Sequence, residues 1–233
     1  MSVLSFLQGK NVLVFDTETT GLPERKNNKF GEYFPYYMSS KYDGSRMVSI
    51  AWKSIPNFHT GDNNSDDIQH FIRYPEDFYE ISNSHIHGIT YEMAQQNGTP
   101  LSDILEGGLY EAIKNCDYIV AHNALFDFHI LASELFRMDN ESLMATECII
   151  KLNDLFSKNG IICTGILGTD VCKLEFNNYY NFYNDNKQNP KRVKKYKMPK
   201  LVELYRHFYN TEFPNQHNAS GDVWALLEIM KVM

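Results

Sequence analysis

Residues 11–22 read NVLVFDTETTGL, an apolar run that ends on Asp16, Thr17 and Glu18 ahead of a glycine-containing turn. A short apolar run bounded by turn residues is a buried strand. Side chains alternate along a strand, so Asp16 and Glu18 leave it on the same side. Two carboxylates that close repel, unless one of them is protonated or a cation lies between them. Hard oxygen ligands of this kind suit Mg2+ or Mn2+. A solvated acid pair entering a turn has the same spacing, and the Asp-x-Glu pattern alone does not separate the two readings.

The 233 residues, 43% of them hydrophobic, are enough for one α/β domain with insertions. No apolar run is long enough to cross a membrane, and the N-terminal MSVLSFLQGKNV has neither the apolar length nor the cleavage pattern of a signal peptide. The expectation is an intracellular protein, cytoplasmic or nuclear, with no membrane partner. Cys116, Cys148, Cys163 and Cys172 form no Cys-x-x-Cys pair, which argues against a zinc ribbon and for reduced, packed thiols. A formal charge of −7 argues against a protein that holds polyanions by bulk attraction. It leaves room for an enzyme on nucleic acid, because clustered acids hold cations that themselves attract phosphate.

RMVSIAWKSI (46–55) reads as a second strand, pairing with the first. Between them, residues 23–45 are an insertion rich in Lys, Asn, Tyr and Gly, either a loose surface loop or the rim of a groove. Residues 85–116 predict a loop, a short helix starting at Thr90 and a longer amphipathic helix after Pro100. DYIVAHN (117–123) predicts a strand ending in polar residues. The run from Ala124 has helical spacing in Leu125, Phe128, Leu131 and Leu135, with Asn123 as N-cap. Residues 177–200 are Asn- and Tyr-rich and then basic, an insertion or arm outside the core. Its Lys191, Arg192, Lys194, Lys195, Lys197 and Lys200 either grip a trailing strand or form a solvated run. LVELYRHFY (201–209) and HNASGDVWALLEIMKVM (217–233) predict two more helices, the last with Val223, Leu226, Leu227 and Met230 as its apolar stripe.

Asp127 falls on the apolar side of its helix, below Ile130 and Leu131. A carboxylate facing inward costs several kcal/mol unless a metal, a pair or a raised pKa compensates it. Asp222 sits in the first turn of the last helix, where a dipole-favoured surface acid has the same signature. His217, five residues earlier, belongs to the loop before that helix, either solvated or free to swing over a site.

Together these residues resemble the DEDDh 3′→5′ exonucleases, the group of the proofreading epsilon subunit of bacterial DNA polymerase III, ribonuclease T and oligoribonuclease. FDTETTGL (15–22), VAHNALFD (120–127) and HNASGD (217–222) resemble the family's three motifs in order, and HGIT (87–90) a segment between the first two. The resemblance spans residues 11–233, with insertions at about 23–45 and 175–197 outside it, as one exonuclease domain. It implies a ribonuclease H-like α/β fold, a five-stranded mixed sheet flanked by helices with the first three strands antiparallel. By motif position it implies Asp16, Glu18, Asp127 and Asp222 as carboxylates for two divalent ions, Mg2+ or Mn2+, and His217 as general base. Thr19, Thr20, Leu22, His87, Asn123 and Phe126 would be substrate contacts, with Leu22 and Phe126 stacking on the last base or packing in the core. The implied activity is metal-dependent removal of nucleoside monophosphates from the 3′ end of single-stranded nucleic acid, DNA favoured, in DNA repair or proofreading. An exoribonuclease or oligoribonuclease is the alternative, a non-catalytic nucleic-acid-binding or polymerase-partner module a third reading. A polymerase or other protein partner stays open.

Overall fold

A computed structural model describes residues 3–28, 31–59, 66–138, 142–175 and 196–233. The opening apolar run becomes β1 (Val12–Thr19), the middle strand of a five-stranded sheet in the order β3-β2-β1-β4-β5. β2 (Met47–Ile55) pairs antiparallel with β1, and β3 (Gln69–Ile72) antiparallel with β2. β4 (Tyr118–Ala121) and β5 (Ile161–Cys163) add in parallel on the other side.

The run is continuously apolar because both sheet faces are covered. Val12 and Val14 join one core with Leu204, Val223, Leu226 and Met230; Leu13 and Phe15 join the other with Ile104, Leu131 and Leu152. The first face carries α8 (Leu201–Tyr209) and α9 (Ala219–Val232), and the predicted stripe of α9 is wholly buried. The second carries α5 (Ala124–Met138) and α6 (Leu143–Ser157). Burying each large aliphatic side chain stabilises the fold by about 1.5–3 kcal/mol.

α1 (Ser84–His87) and α2 (Tyr91–Asn97) precede the sheet's parallel half; the helix expected to start at Thr90 starts at Tyr91, and Thr90 caps it, its hydroxyl accepting from the Met93 N–H. The helix expected after Pro100 comes in three pieces. α3 (Leu101–Ile104) and α4 (Tyr110–Asn115) flank a wide turn at Leu105–Leu109, where Gly108 takes φ 119°, a conformation that side chains resist. α7 (Thr164–Cys172) follows β5, and its Gly168 packs so closely on Leu204 that a Cβ would fall 2.8 Å from that side chain. Asn123 does not take the extended conformation of an N-cap: its φ is 61°.

The described part of the 23–45 insertion is tied to the body at some of its tyrosines. Arg25 bridges to Tyr33, Tyr42 is fully buried, and Tyr36 meets Phe128 and Phe136 edge-on. Of the 177–200 segment, residues 177–195 lie outside the described residues, with Lys191, Arg192, Lys194 and Lys195 among them. Lys197 is held by both oxygens of Glu203, at 2.6 and 2.8 Å. Among the described residues no helix is long and apolar enough to cross a membrane.

Candidate active site

β1 pairs with β4 only over Val12–Val14, so its last residues run past the end of β4. Alternation then divides them between the faces. Asp16 and Glu18 continue the Val12–Val14 side, toward α9, where Asp222 stands in the first turn. Oxygens of Asp16, Glu18 and Asp222 all lie within 4.8 Å of one another. Thr17 continues the other side and meets α5: Asp127, only 2% exposed, accepts at one oxygen from the Thr17 N–H (3.0 Å) and the Thr17 hydroxyl (2.8 Å). The strand end thus gathers acids from both layers.

Asn218 fixes where α9 begins, its side chain accepting from the Ser220 N–H. Gly221 is required next to Asp222, because a Cβ would come 2.3 Å from the Asn215 carbonyl of the preceding loop. That loop turns through left-handed Asn215 and His217, at φ 57° and 60°. The His217 N–H donates to the Asp222 carboxylate, and its imidazole is exposed.

Burial, and then mutual repulsion, push the carboxyls up. Asp16 lies well above the usual range, raised by burial and then by Asp127, Asp222 and Glu18. Glu18 rises to about 8 through burial, Asp222 and Asp127. Burial lifts Asp127 to about 7 against the Thr17 hydrogen bonds, and Asp222 to about 7 against the His217 N–H. Four such groups do not stay ionised together at neutral pH without a positive charge among them. An all-oxygen donor set at this spacing fits a hard divalent ion.

The turn after Glu18 is fastened from several sides. Thr20 and Arg46 exchange hydrogen bonds, N–H to carbonyl and N–H to hydroxyl, both 2.9 Å. The Thr19 and Ser45 hydroxyls both donate to the Gly21 carbonyl, and Ser82 donates to the Thr20 carbonyl. Gly21 lies so close to Gly44 that a Cβ would be 2.6 Å from its carbonyl. Thr19 and Thr20 therefore point their hydroxyls into the turn, while Leu22 stands 65% exposed beyond it. His87 is buried, its Nδ1 accepting from the Ile89 N–H and its ring facing the Thr19 carbonyl. Phe126 is partly buried against the second core.

No protein-family model matches the chain, and no curated protein matches it. Solved structures do. An E. coli exonuclease I crystallised with a dT13 oligonucleotide superposes with a TM-score of 0.54 at 15% identity, over 96% of this chain and 40% of that one. An apo exonuclease I gives 0.56 at 16% identity over 97% and 42%. A moderately thermophilic exonuclease I from Methylocaldum szegediense gives 0.51 at 14% over 94% and 39%. The fold is ribonuclease H-like. The chain spans about two fifths of the length of these exonuclease I structures.

Within this ribonuclease H-like frame one buried cluster escaped the sequence reading. Glu134, on α5 seven residues after Asp127, is fully buried between Arg46 and Arg73. It accepts from Arg46 Nε (2.8 Å), Arg46 Nη2 (2.9 Å) and the Met47 N–H (3.0 Å), and Arg73 Nη1 sits 2.6 Å away as an ion pair without hydrogen-bond alignment. Burial alone would raise this carboxyl; Arg73 and Arg46 outweigh it and hold it at about 2. The cluster anchors Arg46, and through it the Thr20 turn. Its signal was available: Glu134 repeats the inward-facing acid of Asp127 on the same helix face.

Proposed function

We propose that the chain is a metal-dependent 3′→5′ exonuclease of single-stranded nucleic acid, DNA favoured, within one domain carrying insertions at about 23–45 and 175–197. The observation that carries the reading is the meeting of Asp16, Glu18 and Asp222 within 4.8 Å, with Asp127 beside them, at the open end of β1. The four carboxylates would hold two divalent ions, Mg2+ or Mn2+. Bound there, such ions lower the pKa of an attacking water and stabilise the departing 3′ oxygen. His217, exposed on its left-handed turn, is in a position to take the water's proton as general base. Asp222 orients that turn by accepting the His217 N–H. The fastened Thr19–Gly21 turn forms a rigid floor for the terminal nucleotide, with His87 beneath Thr19, and Leu22 stacks on the last base opposite Phe126. Asn123, on its left-handed turn ahead of α5, would be a further substrate contact.

A binding module without chemistry would have no use for four costly carboxylates, which supports the enzyme reading over that one. The E. coli exonuclease I crystallised with a dT13 oligonucleotide supports single-stranded DNA as the substrate class. The test is incubation of 5′-labelled DNA and RNA of one sequence with Mg2+ or Mn2+. The expected product is a metal-dependent ladder shortening from the 3′ end, faster on DNA. A faster RNA ladder would install the exoribonuclease reading, and an intact strand in both metals would sink the enzyme.

A further inference from the structure

Ser49, in the middle of β2 and outside all the motifs, is a buried hydroxyl without a partner: the residue is 0% exposed and its Oγ makes no hydrogen bond. An unsatisfied buried hydroxyl costs about 1–3 kcal/mol. Alanine, which stands two residues further on at Ala51, would fill such a place without that cost. The hydroxyl therefore points to an acceptor that it meets in another state of the site.

Strand register names the acceptor. In the antiparallel pairing of β1 and β2, Ser49 stands directly opposite Glu18, and Ala51 opposite Asp16. Directly opposed side chains leave a sheet on one face, with Cβ atoms about 4.5–5.5 Å apart. Ile50 and Trp52 turn to the α5 core and Ala51 to the α9 core, so Ser49 shares the α9 face with Asp16, Glu18 and Asp222. Its cross-strand neighbour on the other side is Ile72 of β3, whose side chain has no polar atom. His70 of β3 lies one row along, opposite Ala51, and its Nε2 is also without a partner, so the two do not serve each other. Glu18 is the acceptor that the register brings within reach.

The acids are not equally steadied. Asp127 takes two hydrogen bonds from Thr17. The Glu18 carboxylate takes none from the described residues, and it sits on a side chain with one more rotatable bond than the three aspartates have. A carboxylate on a divalent ion uses the lone pairs that face the metal and keeps others for donors, and those donors fix its orientation. We infer that Ser49 is a positioning residue of the metal centre, whose hydroxyl donates to the Glu18 carboxylate when an ion holds that side chain. This rests on the metal-binding part of the exonuclease reading. A neutral donor suits the place: it makes a charge-assisted bond to the carboxylate without bringing in a cation that would compete with the ions.

Ser49→Ala and Ser49→Cys in the full chain test it through two readouts that need no turnover. Mn2+ binding is read from the free-ion signal in electron paramagnetic resonance, and stability from urea unfolding in EDTA. Ser49→Ala should weaken the tighter Mn2+ site by about ten- to a hundred-fold. In EDTA its urea midpoint should match or exceed that of wild type, because the unpartnered hydroxyl is gone. Ser49→Cys fills the same space but offers only a weak donor, so its Mn2+ affinity should fall with that of Ser49→Ala. Wild-type Mn2+ affinity in Ser49→Ala overturns the inference. So does a lower midpoint in EDTA, which would make the hydroxyl a support of the fold. A Ser49→Cys protein that binds Mn2+ as wild type does overturns it too, by making the side chain a packing contact. A wild type that leaves all Mn2+ free overturns the exonuclease reading and the role of Ser49 with it, whereas equal, tight binding by all three proteins overturns the role of Ser49 alone.

Discussion

Asp16→Asn should stabilise the metal-free chain and destabilise the metal-bound one. Oxygens of Asp16, Glu18 and Asp222 lie within 4.8 Å, and at an effective dielectric of about 20 each like-charged pair at that distance costs about 3–4 kcal/mol. Partial protonation relieves some of this, so the neutral asparagine should gain about 1–3 kcal/mol at pH 8 without metal. The pH dependence follows from carboxyls pushed up to about 7 and 8. The folded chain holds these protons more tightly than the unfolded chain, so the cost is complete above about pH 8 and absent below the ordinary carboxylate range near pH 4. The advantage of Asp16→Asn should therefore shrink steadily as pH falls from 8 to 5. Mg2+ inverts the order, because a ligand at a hundred times its dissociation constant adds about 2.7 kcal/mol to the form that binds it. Urea unfolding of both proteins at pH 8, in EDTA and then in excess Mg2+ or Mn2+, reads all of this without an activity assay. A variant less stable than wild type in EDTA, or a wild-type midpoint indifferent to both metals, would refute the reasoning.

His217→Ala should lower kcat by about 10²–10⁴ while leaving the metal-dependent rise in melting temperature intact, with partial rescue at high pH; an unchanged pH–rate profile returns the residue to a solvated loop. Glu134→Gln should cost about 3 kcal/mol in urea unfolding, because Arg46 and Arg73 would lose the fully buried carboxylate between them and keep only the more exposed Asp77 and Glu76. The wild-type contribution of Glu134, held at about 2, is present above the ordinary glutamate pKa and lost as pH falls toward 2, so the gap between wild type and variant should close in acid. His122, between Thr164 and the Pro199 carbonyl, and His129 are both pressed down to about 4 by burial. Below about pH 6.5 the unfolded chain takes up protons that these rings refuse, at a cost of about 2 kcal/mol each by pH 5. His129→Phe should flatten that acid slope in unfolding titrations, and an unaltered slope would refute the assignment.

What could be read from the sequence was what burial makes periodic or costly. β1, β2, β4, α5 and α9 carry apolar residues at strand or helix spacing, and Asp127 stood out because an acid at an apolar position needs a cause. β3 is a four-residue edge strand, QHFI, in which no residue is fully buried, so no alternation marks it. β5 has three residues, and α7 holds two glycines that read as turns but serve close approach to Met198 and Leu204. The 23–45 segment looked loose because its tyrosines, read one at a time, have no period; only their ring contacts with His129 and Phe128 show them as packing residues. The Thr19 and Thr20 hydroxyls likewise gave no sign that they close their own turn.

The division of β1 between two layers makes the strand a ruler. One residue inserted between Phe15 and Asp16, with the apolar part held in its cores, would rotate both acids to the α5 side and Thr17 to the α9 side. Two inserted residues would restore the side but carry the pair about 7 Å further along. Substitutions in the core of β1 can be repacked, yet its length before Asp16 cannot drift, so a library of single-residue insertions across Val12–Glu18 should yield folded chains and no active ones.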